Sequence, residues 1–298
     1  MEDIGMNTDL QRNSPKALAM LTVSMVVFGS IGIFRRMIPL PSALIAFFRG
    51  AIGSLFLIAF LRVSGKKIFH NTPVKTLLLL ALSGAVIAFN WILLFEAYNN
   101  TTVSVATLCY YMEPVIVILL SAVLFREKLT LKKSICAALA FCGMILVSGV
   151  AEGGLPRAGE LKGILLGLGA AVLYSAVVLM NRFLRGVDPF EKTIIQLGAA
   201  AVVMVPYLFL TGEFTGNTWT FGTAMLLLFV GIVHTGICYA LYFGSMDSLR
   251  MQTVAIFSYL DPITALFLSA LILHERLTVF GIIGAVLILG SAIISEME

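Results

Sequence analysis

Two stretches decide the fold: EPVIVILLSAVLFREKLT, from Glu113 to Thr130, and DPITALFLSALILHERLT, from Asp261 to Thr278. They align without a gap at a spacing of 148 residues and share Pro114/Pro262, Leu120/Leu268, Ser121/Ser269, Ala122/Ala270, Glu127/Glu275, Leu129/Leu277 and Thr130/Thr278. Apolar similarity arises easily. A carboxylate followed by proline inside an apolar run, written twice in the same register, does not. In a chain of 298 residues this spacing is about half the length, so the chain is read as an internal duplication, a signal that outranks local assignments.

Working outward, the rest of the chain is 59% hydrophobic and 12% charged, against roughly 25% charged residues in soluble domains. Apolar stretches long enough to cross a hydrocarbon core, about 20 residues each, recur with little between them. Ten are counted: 17–36, 42–62, 74–97, 102–125, 131–150, 161–182, 190–211, 220–246, 251–273 and 278–295. In lipid every backbone polar group needs an internal partner, and a barrel would show short alternating segments, so the spans are read as helices. The expected fold is an all-α polytopic membrane protein. A tail (1–16) precedes a first five-helix repeat (17–150), and a linker (151–160) leads to a second (161–298). The acidic start, with no small-residue cleavage site after the first apolar run, predicts that the first span is retained.

Lys and Arg accumulate in cytoplasmic loops. With the N-terminus inside, fourteen of them fall on the cytoplasmic side and five outside, while Arg49 lies within a span. An even number of spans returns the C-terminus to the cytoplasm. The net charge of +4 is therefore orientation signal and calls for no nucleic-acid partner. Five spans per repeat, an odd number, place the second copy upside down relative to the first. Inverted repeats characterise secondary transporters, in which a midplane site opens alternately to either side.

Glu113 and Asp261 lie about ten residues into their spans, roughly 15 Å deep at 1.5 Å per residue, near the midplane. Pro114 and Pro262 cannot donate to the carbonyls of Tyr110 and Ser258, four residues earlier, and predict helix kinks. A freed acceptor beside an acid fits a cavity; bends made for packing, with the acids paired to neighbours, are the plainer reading. The other deep polar side chains are Arg49, Asn90, Trp91, Gln196, His234, Tyr239 and Tyr242. A lone buried arginine faces a partner or water, so Arg49 either pairs with Glu113 or reads an anionic group on a ligand. The candidate substrate-binding set is Arg49, Asn90, Trp91, Tyr110, Glu113, His234, Tyr239, Ser258 and Asp261. A midplane carboxylate is costly to ionise, which makes Glu113 the candidate proton carrier, with Asp261 holding the symmetric helix. Glu127 and Glu275, at span ends, are assigned to capping the helix that follows or pairing with nearby bases. Cys109, Cys136, Cys142 and Cys238 read as packing residues, and His70, His234 and His274 are too scattered for a metal site. The glycines of Gly163–Gly169 and Gly281–Gly290 permit close helix approach, within a monomer or across a homodimer.

The pattern resembles the EamA family of the drug/metabolite transporter superfamily over nearly the whole chain, from about Lys16 to Ser295. The resemblance is carried by Phe28-Gly29-Ser30 in the first helix, by Pro41 and Arg49 in the second, and by the two proline-led stretches ending in Glu-x-Leu-Thr. The second repeat departs, with Tyr174-Ser175-Ala176 lacking the glycine and Gln196-Leu197 in place of the arginine. What the resemblance implies is a secondary transporter of small metabolites, often an exporter, with a central cavity lined by the first four helices of each repeat. A nucleotide-sugar cargo would need several deep bases. One deep cation and two deep anions match a zwitterion such as an amino acid, with organic cations or drugs as the alternative. Among rival classes, an ATP-driven pump is disfavoured because no G-x-x-x-x-G-K-[ST] element is present. An embedded hydrolase is disfavoured because no nucleophile-base pair or H-E-x-x-H element accompanies the acids. A passive channel stays open, and nothing in the sequence calls for a cofactor. The expected setting is a lipid bilayer, as an integral protein of a bacterial plasma membrane.

Overall fold

The computed structural model describes residues 14–65, 72–126, 130–150, 157–184, 186–246, 248–249 and 251–296. Among these residues the regular structure is helical, with no strand. In the first half, α1 (Pro15–Gly29) and α2 (Ile31–Met37) divide at Ser30, followed by α3 (Ser42–Val63) and α4 (Val74–Asn100). Next come α5 (Val103–Tyr110), α6 (Glu113–Phe125) and α7 (Leu131–Val147). The second half opens with α8 (Ala158–Arg182) and α9 (Pro189–Thr211). A rod then runs through α10 (Phe221–Phe229), a π-helical segment (Val230–Ile237) and α11 (Cys238–Met246). The last elements are α12 (Met251–Ser258), α13 (Leu260–Ile272) and α14 (Val279–Glu296).

Seven stretches among the described residues are long and apolar enough to cross a bilayer. The expected spans at 251–273 and 278–295 appear as the shorter apolar helices Ile256–Ile272 and Val279–Ser295. The span expected at 131–150 is a helix of 17 residues, because Gly149 takes a left-handed φ of 79° just beyond its end.

The acid-proline pairs interrupt their helices. α5 ends at Tyr110, Tyr111 and Met112 form a turn, and α6 restarts with Glu113 and Pro114 at its head. There a missing N–H removes no helical bond. α12 likewise ends at Ser258, and α13 restarts with Leu260, Asp261 and Pro262. Each carboxylate thus sits in the first turn of a half-helix, where unpaired backbone N–H groups favour an anion.

The two stretches also end alike. Arg126 and His274, at matching positions, are left-handed with φ of 53° and 55°, and Thr130 and Thr278 cap the helices that follow. Thr130 Oγ1 accepts Lys133 N–H at 3.3 Å, and Thr278 Oγ1 accepts Gly281 N–H at 3.1 Å. With that cap filled, Glu275 does not cap its own following helix. Its carboxylate crosses to the other repeat and accepts the N–H groups of Val103 and Ser104, at the head of α5, at 3.0 and 3.2 Å. Arg36 of α2 stands 3.6 Å from it and also donates to Thr101 O at 2.7 Å. Glu127 lies outside the described residues.

The halves pack through α7 on α14, α4 on α8 and α9, and α3 on α9. Gly143 and Gly284 set the α7–α14 approach, because a Cβ on either would meet the other's carbonyl oxygen. Leu44, Leu57, Phe95, Leu197 and Met204 are fully buried between α3, α4 and α9. Leu55, Val123, Val202 and Leu210 point outward, as expected where lipid tails are the solvent and helices associate through close packing. Cys109, Cys136 and Cys238 are buried and Cys142 is exposed.

Candidate functional site

The helix breaks converge on a cavity of about 350 Å³. Of the candidate residues, Arg49, Trp91, Tyr110, Glu113, Tyr239, Ser258 and Asp261 line it, together with Pro114. Two candidates do not. Asn90 is fully buried and spends its amide on Ala170 O at 2.6 Å, joining α4 to α8. His234 is fully buried between Phe34 and Phe229, with Nε2 2.8 Å from Ser30 Oγ. Each satisfies one polar atom in this way, while Asn90 Oδ1 and His234 Nδ1 stay buried without a hydrogen-bond partner, and sequence depth alone did not separate the two residues from cavity residues. Gln196 also turns to structure, donating to Ser83 Oγ and Asn181 Oδ1.

Arg49 is 6% exposed. Its Nε donates to Thr235 Oγ1 at 3.0 Å, and its guanidinium lies 4.3 Å from the Trp91 ring centroid, with Phe95 at 5.9 Å. No described residue hydrogen-bonds Nη1 or Nη2. Of the two alternatives for Arg49, pairing with Glu113 or reading a ligand's anionic group, no ion pair of Arg49 is seen among the described residues; Asp261 lies near Arg49 and Tyr111 in the same cavity. Asp261 is therefore a cavity group. Glu113 stands instead beside Tyr110 and Tyr174, and its backbone carbonyl accepts Ser175 Oγ at 3.2 Å. Gly29 allows α1 to press on this region, since a Cβ there would meet Asp261 O and the Thr264 side chain. In the Phe28-Gly29-Ser30 element, Phe28 lines the cavity, Gly29 packs on α13 and Ser30 holds His234.

The cavity also holds residues outside the sequence-derived set: Tyr98, Thr107, Tyr111, Tyr174, Tyr242 and Tyr259. Seven of the chain's eight tyrosines line it. Tyr111 and Tyr259 are themselves 148 residues apart, and their rings meet with centroids 6.4 Å apart. The duplication could have found that pair. The wall gives π faces for a cation and hydroxyls for hydrogen bonds, beside one guanidinium fork and two carboxylates.

The EamA-like transporter family model matches residues 15–149 and again 161–297. An uncharacterized transporter, YxxF, of Bacillus subtilis is 30% identical over 91% of this chain and 86% of that protein. An uncharacterized transporter of Archaeoglobus fulgidus is 27% identical over 94% and 96%. Protein RarD of Salmonella typhi is 29% identical over 72% of this chain and 71% of its own. A solved crystal structure superposes with a TM-score of 0.64 at 19% identity, covering 94% of this chain and 96% of that one, and shows the same fold. With both halves matched, this chain belongs to the EamA-like transporter family, as an integral membrane transporter.

Proposed function

We propose that the protein moves amino acids or related zwitterions across the membrane by alternating access, as an exporter built from two inverted five-span repeats. The observation that carries this reading is Arg49. Its terminal nitrogens are left without a described partner in a cavity that also holds Asp261 and Glu113. A carboxylate on the fork of Arg49 and an ammonium on Asp261 would satisfy both charges, where either alone is costly to desolvate. Glu113 is the proposed proton carrier, a carboxylate that lines the cavity among tyrosines. A second reading, organic cations, draws support from the tyrosine wall and the surplus of carboxylates over cations.

A thermal-shift screen of purified protein against amino acids, their decarboxylated amines and quaternary ammonium compounds separates the two, because ligand binding to the folded state raises its melting temperature. Stabilisation by amino acids above the matching amines supports the zwitterion reading; the reverse order supports organic cations. Counterflow in proteoliposomes then distinguishes a carrier, which shows trans-stimulated exchange, from a pore.

A further inference from the structure

The π-helical segment Val230–Ile237 lies in the second half of the chain yet grips the first half at two points. Its Thr235 holds Arg49 of α3, and its His234 holds Ser30 at the α1/α2 break. Single π turns inside α-helices recur at functional sites, and here the wide turn has a specific effect. Thr235 is fully buried, and its hydroxyl gives its proton to Val230 O, five residues earlier, at 3.3 Å. That spacing is the π repeat; in an α-helix the available carbonyl would be four residues back. With the proton so placed, the oxygen lone pair faces α3 and accepts Nε–H of Arg49. The segment is seated against α3 by its glycines, since a Cβ on Gly231 would meet Ile52 and one on Gly236 would meet Phe56.

We propose that Thr235 is a positioning residue for cargo recognition: it occupies Nε of Arg49 and, with Trp91 against the guanidinium face, turns Nη1 and Nη2 toward the cavity as a carboxylate fork. This rests on the zwitterion reading above. A guanidinium free to rotate still offers charge, but it loses the two parallel bonds that make an arginine-carboxylate contact selective.

The test pairs each common amino acid with its decarboxylated amine and measures affinity by thermal shift, and KM and maximal rate by exchange in proteoliposomes. In wild type the amino acid binds more tightly than the amine. In Thr235→Val, which keeps the shape and loses the hydroxyl, that preference falls about tenfold, the loss appears in KM, and amine binding is unchanged. Thr235→Ser restores the preference, and Thr235→Ala gives the same comparison if valine impairs folding. Equal weakening of amine and amino acid would mark Thr235 as merely structural and overturn the inference, as would a preference retained in Thr235→Val. Wild type with no preference for the carboxylate would sink the zwitterion reading, and the inference with it.

Discussion

At the scale of single residues, the site depends on how one guanidinium is spent. Arg49 gives Nε to Thr235 and a ring face to Trp91, so the fork is what remains for the proposed cargo. Lysine at this position keeps the charge but offers neither a fork nor a flat face. Arg49→Lys is therefore expected to weaken amino-acid binding about tenfold, and Arg49→Ala about a hundredfold, by loss of charge-assisted bonds. Thermal shift measures both, and wild-type affinity in Arg49→Ala would remove Arg49 from the site. Arg49 was legible in the sequence because a charge inside an apolar run needs a partner. Most of the tyrosines were not, because an aromatic ring in a span serves packing equally well. Thr235 carried no signal at all: its role exists only where a π turn places its hydroxyl against α3.

At the scale of elements, both stretches place a left-handed residue, Arg126 or His274, shortly before a threonine cap, Thr130 or Thr278. Glu275 is left over to close the head of α5 from across the molecule. Two effects could carry its contribution. The Arg36 contact is 3.6 Å long with the arginine side chain 35% exposed, and such pairs contribute at most about 1 kcal/mol. Removing the acceptor from two backbone N–H groups at a helix head costs about 1–2 kcal/mol, so the cap outweighs the ion pair. Glu275→Ala is expected to lower the melting temperature in detergent more than Arg36→Ala, with the gap surviving added salt. Equal losses that vanish in salt would assign the contribution to the ion pair. Hydropathy located the helices, and the prolines located the interruptions in them. Whether proline bends or restarts a helix was not legible, since it depends on whether neighbouring backbone can form the Tyr111–Met112 turn. The π segment, VGIVHTGI, holds no proline and seats Gly231 and Gly236 against Ile52 and Phe56.

At the scale of the whole molecule, the duplication was legible from two acid-proline pairs in matching register, whereas how the repeats face each other is a question of topology. The inverted arrangement predicts that a cysteine at Gly216, in a background free of other cysteines, is labelled from outside, and one at Gly65 from the cytoplasm. The opposite pattern would reverse the orientation. The proposed proton coupling needs a group whose charge changes as the cavity changes sides, and two carboxylates line the cavity. Asp261 lies near Arg49 and Tyr111, and in the zwitterion proposal it receives the ammonium. Glu113 stands near Tyr110 and Tyr174 and is the acid proposed to carry the proton. Asp261→Asn should therefore impair both exchange and gradient-driven uptake in proteoliposomes. Glu113→Gln, which mimics the protonated acid, should retain cargo exchange while losing accumulation driven by a pH difference, because exchange requires only an intact site and accumulation requires the moving proton. Full accumulation by Glu113→Gln would show that Glu113 is not the coupling acid. If Asp261→Asn then lost accumulation alone, the coupled proton would belong to the second repeat.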